Sequence, residues 1–373
     1  MKLLHLISRI LVGLVFIFSG FVKGIDPLGM AYRLEDYFIA WGAEWMMPLA
    51  LVLSILLSTM EFVMGVVVLF NLKPRVNAWL LMGIMTFFTI LTFFDAIYNP
   101  VPDCGCFGDA ITLTNWQTFY KNLVLLGFTI LLFIWRKKTR DLFSNLSAYG
   151  TALVSAILFA GLCIYCYRHL PLIDFMEWKV GNKMYIENPE PVKYYLTYRN
   201  KYTGETKEYL SPDYPYNDSV WMSQWEFVDQ RVEDPNTFLG HDLQILDAEG
   251  NDYTETFIRN PDFQFLLVAW DLEKASTKGL QEMVGFAALA ESDGYGFIAL
   301  TSSLQPEIDS VKAALGLNYD FFLADDIALK TMVRANPGLL VLKDGIVIDK
   351  WHHNDFPDYQ EFKQEYQSLV KPL

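Results

Sequence analysis

The stretch Pro100-Val-Pro-Asp-Cys-Gly-Cys-Phe-Gly108 separates two apolar runs of membrane-spanning length, Val76–Ile97 and Trp116–Trp135, and sets two thiols one residue apart between them. The side of the membrane that this loop faces decides what the thiols can do. No Lys or Arg occurs between Tyr98 and Lys121, whereas Lys2 with Arg9, Lys73 with Arg75, and Arg136, Lys137, Lys138 and Arg140 cluster at the other ends of the runs. Basic residues near helix ends are retained in the cytoplasm, so the Cys104 loop is expected on the opposite, oxidising side.

Working outward, the chain of 373 residues is 53% hydrophobic with a mean hydropathy of +0.21, too apolar for one ordinary soluble domain. Three further runs reach the roughly 20 residues needed to cross a hydrocarbon core of about 30 Å: Leu3–Val22, Met46–Leu72 and Tyr149–Tyr167. Five spans with the N-terminus inside carry everything beyond Arg168 to the extracytoplasmic face of a bacterial inner membrane. The first loop is least decisive, because Lys23 and Arg33 are offset by Asp26, Glu35 and Asp36. No small-residue cleavage site follows Gly20, so the first run reads as a retained helix. Trp41, Trp45, Trp116, Trp135, Tyr165 and Tyr167 sit near span ends as interfacial anchors. Residues 141–373 hold 35 of the 43 acidic side chains and 18 of the 29 basic ones. That surface repels nucleic acid and anionic lipid heads, which excludes a nucleic-acid partner and leaves the bilayer as the expected one.

The run Arg9–Lys23, ending Ser19-Gly-Phe-Val-Lys23 before Asp26-Pro27-Leu28-Gly29, resembles the first helix of the DoxX family. Glu61-Phe-Val-Met-Gly65 and the Cys-Gly-Cys-Phe-Gly loop are similar to the MauE family of methylamine-utilisation proteins. The resemblance covers roughly residues 1–138. It implies a four-helix bundle related in architecture to vitamin K epoxide reductase, and a part in disulfide formation or maturation of extracytoplasmic proteins.

A Cys-x-Cys pair in an exported loop oxidises easily, and its small ring is strained and therefore more reducible than a long-range bridge. Gly105 relieves the backbone of such a ring, and Pro100 and Pro102 stiffen its approach. Three readings of Cys104 and Cys106 stay open: a lock on a re-entrant loop, a redox pair, or metal ligands, the last being poor with two donors. Cys163 and Cys166 form a Cys-x-x-Cys near the outer end of the fifth span. They are either a relay for the loop pair or small apolar packing residues at a helix C-terminus, where the dipole disfavours a thiolate. Glu61 is the conspicuous charge inside a span, costly in hydrocarbon unless it meets a partner or cavity. Lys23, Arg33 and Ser19 are its candidate partners, and proton transfer for a quinone is its candidate role. Asp95 is expected at the interface. Gly13, Gly20, Gly65, Gly83 and Gly127 are expected to let helices approach closely.

Beyond the spans, Pro189, Pro191, Pro212 and Pro215 and the Tyr-rich alternation at Lys193–Tyr198 indicate a hairpin-bearing connector packed on the next domain. From about Asp242 the pattern alternates strands and helices. Strands are expected at Leu243–Leu246, Phe263–Trp270, Gly296–Leu300, Asp320–Leu323, Gly338–Leu342 and Ile346–Trp351, and helices at Thr277–Ala290, Pro306–Leu315 and Ile327–Val333. The order resembles a thioredoxin-like domain, and Arg334-Ala-Asn-Pro337 looks like that family's cis-proline segment. Where the family carries Cys-x-x-Cys, this chain has Asp271-Leu-Glu-Lys274, and residues 239–373 hold no cysteine. Thiol exchange by that module itself is excluded, since the nucleophile must be a thiolate. A platform for binding a peptide or partner remains, with Asp271 and Lys274 otherwise plain surface. His352, His353 and Asp355 read as solvated surface, not a metal site.

The expected organisation is therefore a four-helix membrane bundle over 1–140, a fifth transmembrane helix over 141–170, the connector over 171–238 and an α/β thioredoxin-like domain over 239–373. The leading reading is a membrane protein of extracytoplasmic thiol redox or protein maturation, with a quinone as electron acceptor and an extracytoplasmic protein as substrate. The second is a non-catalytic scaffold or chaperone whose thiol-free module recruits an envelope partner. Transport through a cavity at Glu61 needs more intramembrane polar residues than the spans contain.

Overall fold

The computed structural model describes residues 2–139, 143–186, 190–233 and 243–369. The expected boundaries at 140/141 and 238/239, with Arg140, Pro189, Phe238 and Asp242, lie outside them. Among the described residues five helices are long and apolar enough to cross a membrane, which makes this a multi-pass membrane protein. Helix α1 is Lys2–Ile25, α2 Pro27–Ala40, α3 Ala50–Leu69, α4 Pro74–Tyr98, α5 Asn115–Trp135 and α6 Asn145–Arg168. A short 3-10 turn, Glu44–Leu49, leads into α3.

Helices α1, α3, α4 and α5 enclose a core of Val12, Phe16, Met64, Val68, Leu81, Met85, Leu125 and Leu132. Glycine sets the α1/α3 distance. A Cβ on Gly65 would lie 2.5 Å from the Ile17 nitrogen, and one on Gly20 2.5 Å from the Phe62 nitrogen, so backbone and not a yielding side chain fills the space. Gly83 and Gly127 face open space instead and serve no close approach. We expect Gly65→Val to lower the stability of the purified protein by about 1–3 kcal/mol through overpacking, read as a lower melting temperature in detergent, with Gly83→Val as the silent control. Helix α6 lies against α1 and α3 through a parallel ring stack of Phe159 on Phe62, centroids 4.1 Å apart.

Helix α2 is not a span. Its sequence announces it: Asp26 caps the backbone N–H of Gly29 and Pro27 occupies the first turn, the start signal for a helix. Hydropathy does not reveal it, because Arg33, Glu35 and Asp36 interrupt the apolar face. The first span also runs past its expected end at Val22, and Lys23, read from sequence as a loop residue, is a buried residue of α1.

Residues 190–233 form a sheet of their own, in the order β2-β1-β3, from β1 (Lys193–Asn200), β2 (Thr206–Leu210) and β3 (Trp225–Glu233), with α7 (Ser219–Gln224) between the last two. Its rings pack on one another, Tyr198 against Tyr209, Tyr214 and Trp221, and Trp221 stacked on Trp225. The connector packs on the next domain as expected, but not through these aromatics, which make a local cluster. Trp178 and Met184, earlier in the connector, are the residues buried in the large domain.

The large domain continues with α8 (Thr254–Ile258), β4 (Phe263–Val268), α9 (Thr277–Ser292), β5 (Gly296–Thr301), α10 (Gln305–Leu315), β6 (Asp320–Leu323), α11 (Asp326–Met332), β7 (Gly338–Lys343), β8 (Ile346–His352) and α12 (Tyr359–Glu365). The sheet order is β6-β5-β4-β7-β8, parallel from β6 to β4 and antiparallel from β4 to β8. Every residue of β4 is buried, as an apolar strand covered on both faces must be. The strand expected at Leu243–Leu246 is reduced to single bridges from Leu246 to Asp252 and Leu323. Unforeseen α12 puts Phe362 against Phe263 and Phe265. The Asn336-Pro337 peptide is cis, as expected. Of the cluster expected as solvated surface, His352 is instead buried under the end of the sheet, its Nδ1 accepting the Asn354 N–H, while His353 Nδ1 lies 3.2 Å from the Pro337 carbonyl and Asp355 meets His169 at 2.7 Å.

Candidate functional site

The loop between α4 and α5 folds back onto the end of the bundle where α1 meets α2. Gly105 and Gly108 adopt left-handed backbone conformations, φ 62° and 53°, which turn the chain tightly enough to bring the neighbouring thiols together. Cys104 and Cys106 Sγ are 2.7 Å apart, which puts the two sulfurs within reach of a bond to each other. The loop is held on its first flank by Arg33 of α2, whose guanidinium reaches Asp103 at 2.9 Å. Asp103 in turn accepts the Gly105 N–H at 2.8 Å. Arg33 was a candidate partner of Glu61, and it is spent here instead.

Glu61 takes the other two. Lys23 Nζ lies 2.7 Å and 2.6 Å from the two carboxylate oxygens, and both side chains are almost wholly buried. The Ser19 hydroxyl lies 2.8 Å from Glu61 and 2.8 Å from the Cys106 carbonyl, joining the ion pair to the thiol loop. A charge pair in hydrocarbon survives only when both partners are met, which explains why Lys23 sits inside a span.

Cys104, Cys106, Lys23 and Glu61 line one cavity of about 200 Å³ in the bundle. Apart from these groups, Ser19, Tyr37, Thr92, Lys121 and Asn122, its wall is aliphatic and aromatic. Trp41 and Phe87 line it while remaining 56% and 59% exposed, so the cavity reaches the side of the bundle that faces lipid. Asp95, expected at the interface, is buried and accepts a 2.7 Å hydrogen bond from Tyr37, tying α2 to α4 beside the cavity. Asn122 donates to Thr92 at 3.1 Å across α5 and α4. Sequence reading missed Tyr37, Thr92, Lys121 and Asn122. Small polar residues in α4 and α5 were the available signal, but single Thr and Asn side chains in a span are common.

Cys163 and Cys166 are buried in α6 and do not line this cavity. Cys163 faces Gly24 of α1, whose added Cβ would stand 3.0 Å from its sulfur, in the α1/α3/α6 seam beside Phe159. The structure thus brings Cys104, Cys106 and Glu61 together and leaves the second cysteine pair apart from them.

The two loop thiols are unequal. The Cys104 thiol donates to Cys106, which with Lys121 and Lys23 pulls Cys106 down to about 6, against the opposing effect of burial. Cys104 is pushed well above the usual thiol range by giving that hydrogen bond and by burial. Cys106 is therefore the sulfur that carries negative charge at neutral pH. In the reduced protein, iodoacetamide labelling of Cys106 should rise with pH to a half-maximum near 6 and be flat by pH 7.5. In Cys104→Ala the donor is gone, and the midpoint should move toward the ordinary thiol value of 9.0; an unchanged midpoint would show that Cys104 does not control it.

The end of the bundle carrying this loop also carries the large domain. Arg334, between α11 and β7, reaches Asp26 at 2.9 Å and Asp109 at 2.7 Å. Tyr32 of α2 meets the Trp270 ring edge-on, and Lys330 lies 4.9 Å from each ring. No curated protein matches the chain. Residues 1–136, which supply every residue lining the thiol cavity, match the family described as methylamine utilisation protein MauE.

Proposed function

We propose that the protein is an extracytoplasmic thiol–disulfide oxidoreductase of the inner membrane, in which Cys104 and Cys106 exchange electrons with a protein dithiol on one side and a quinone on the other. The observation that carries this reading is the shared cavity: the paired sulfurs, a buried acid and a buried base open onto a single apolar chamber that reaches the lipid-facing surface. A substrate thiolate attacks one sulfur of the Cys104–Cys106 disulfide, and the other sulfur leaves as a thiolate. The second substrate thiol then resolves the mixed disulfide, leaving an oxidised substrate and a reduced loop. Cys106 is the natural leaving sulfur, because the more acidic thiol leaves faster.

The chamber fits a quinone. Aromatic and aliphatic walls suit its ring and tail, and Lys23, Tyr37, Thr92 and Asn122 offer polar contacts for its oxygens. When bound there, a quinone would supply the acceptor for the two electrons and two protons that the Cys104/Cys106 dithiol gives up as its disulfide closes. Glu61, with Lys23 and Ser19, holds a proton beside the loop and moves it between the thiols and the chamber.

The extracytoplasmic placement rests on the distribution of Lys and Arg among the loops. A DoxX relationship for the bundle is supported by the Ser19–Lys23 segment, whose Ser19 and Lys23 line the cavity. The thioredoxin-like reading of the large domain is supported by its mixed sheet and by a cis-proline segment beside Trp270–Lys274. With no cysteine in it, the module acts by contact, and its dock on α2 puts it beside the loop it would serve. The test uses the full-length protein in lipid nanodiscs with dithiothreitol and a short-chain ubiquinone: quinol formation dependent on both protein and dithiol is expected. No formation above the protein-free rate, with the loop thiols permanently reduced, overturns the redox reading in favour of a scaffold.

A further inference from the structure

Resting on the redox reading, we propose that Arg334 is a positioning residue for the Cys104–Cys106 loop, so that the thiol-free domain takes part in the reaction in cis. The loop has two flanks, and an arginine holds each. Before the thiols, Asp103 is held by Arg33 of α2. After them, Asp109 is held by Arg334, a residue of the other domain. Arg334 is 6% exposed and each of its three guanidinium nitrogens donates: Nε to both oxygens of Asp26 at 3.1 and 2.9 Å, Nη2 to Asp109 at 2.7 Å, and Nη1 to the Lys330 carbonyl at 2.5 Å.

Each contact does a different part of the work. Asp26 caps α2, the helix that carries Arg33, so one guanidinium fixes both the far flank of the loop and the helix holding the near flank. The bond to Lys330 ties the guanidinium back to α11. A lysine in its place would bring the charge without the planar fork needed to span two carboxylates and a carbonyl. Arg334 is the confined partner, its side chain 7% exposed against 17% for Asp26 and 31% for Asp109, so its charge is met by these two carboxylates and not by water. A thiol pair that must meet a substrate sulfur on one side and the chamber on the other gains from such fixing, because small misplacements of reacting groups cost rate steeply.

The test compares Arg334→Met, Arg334→Lys, Asp109→Ala and the double variant Arg334→Met/Asp109→Ala in full-length protein. Each single change is expected to lower kcat for dithiol-driven ubiquinone reduction about tenfold with little change in KM for the dithiol. The double variant should be no slower than the worse single one, because both remove the same contact. Asp109→Ala leaves the Arg334–Asp26 dock in place, so it reports on the loop even where Arg334→Met fails to assemble. Wild-type rates in Asp109→Ala, or losses that multiply to about a hundredfold in the double variant, would sink the proposal and reduce Arg334 to a docking contact. Iodoacetamide labelling of Cys106 separates the two hypotheses. A changed labelling rate in both Arg334→Met and Asp109→Ala supports the clamp even where wild-type protein fails to reduce quinone, and an unchanged rate in both counts against it.

Discussion

Cys104→Ser and Cys106→Ser are each expected to bring dithiol-driven quinone reduction down to the protein-free rate, a loss on the order of 10³-fold or more, the scale on which removing a covalent nucleophile acts. Stability should hardly change, because both thiols are only partly buried at the cavity wall and serine conserves their size. The two variants should differ in what accumulates. Offered the substrate in its oxidised, disulfide form, Cys104 alone is the thiol pushed up by burial and should attack it slowly. Cys106 alone lies under the influence of Lys121 and Lys23 and should attack that disulfide more readily, forming a mixed disulfide as the substrate's other sulfur leaves as a thiolate. Cys163→Ser/Cys166→Ser is expected to retain quinone reduction, since that pair lies in the α6 seam outside the chamber. Equal retention in the loop variants would leave only the scaffold reading.

The second large effect concerns the buried ion pair. Glu61→Leu leaves the Lys23 ammonium without its partner inside the bundle and should destabilise the membrane domain by about 3–5 kcal/mol, as should Lys23→Met from the other side. Replacing both together removes the unmet charge, and Lys23→Met/Glu61→Leu should recover most of the stability lost by either alone. Melting of the purified variants in detergent checks the energetic claim. The catalytic claim separates cleanly from it: the stable double variant should still reduce quinone at least tenfold more slowly, since its chamber no longer holds a proton beside Cys106. A double variant that is both stable and fully active would confine Lys23 and Glu61 to structure.

Much of this architecture is legible in the residues because it rests on strong local signals. The five spans follow from uninterrupted hydropathy, and the strands and helices from Phe263 to His352 follow from apolar runs and their punctuation by Gly and Pro. Glu61 stands out because a charge in a span needs an explanation, and its partner Lys23 was among the candidates. What escaped depends on contacts between residues far apart in the chain. Helix α2 mixes charge with apolar residues because one face lies on the bundle while the other meets Trp270 and Arg334, and neither neighbour is visible locally. Asp95 looked interfacial because nothing near it in sequence foretells Tyr37. Arg334 drew notice only as part of a proline segment, although its partners Asp26 and Asp109 lie more than two hundred residues away. The connector does meet its large neighbour, through Trp178 and Met184, but the rings that suggested it pack on one another instead.

The flank of the chamber at Trp41 and Phe87 has a kinetic corollary. A reactant arriving by that route is drawn from a two-dimensional solvent, so its effective concentration is a mole fraction among lipids and not a molarity in buffer. Adding empty bilayer to a fixed amount of such a reactant dilutes it and slows turnover, although nothing in the aqueous phase has changed.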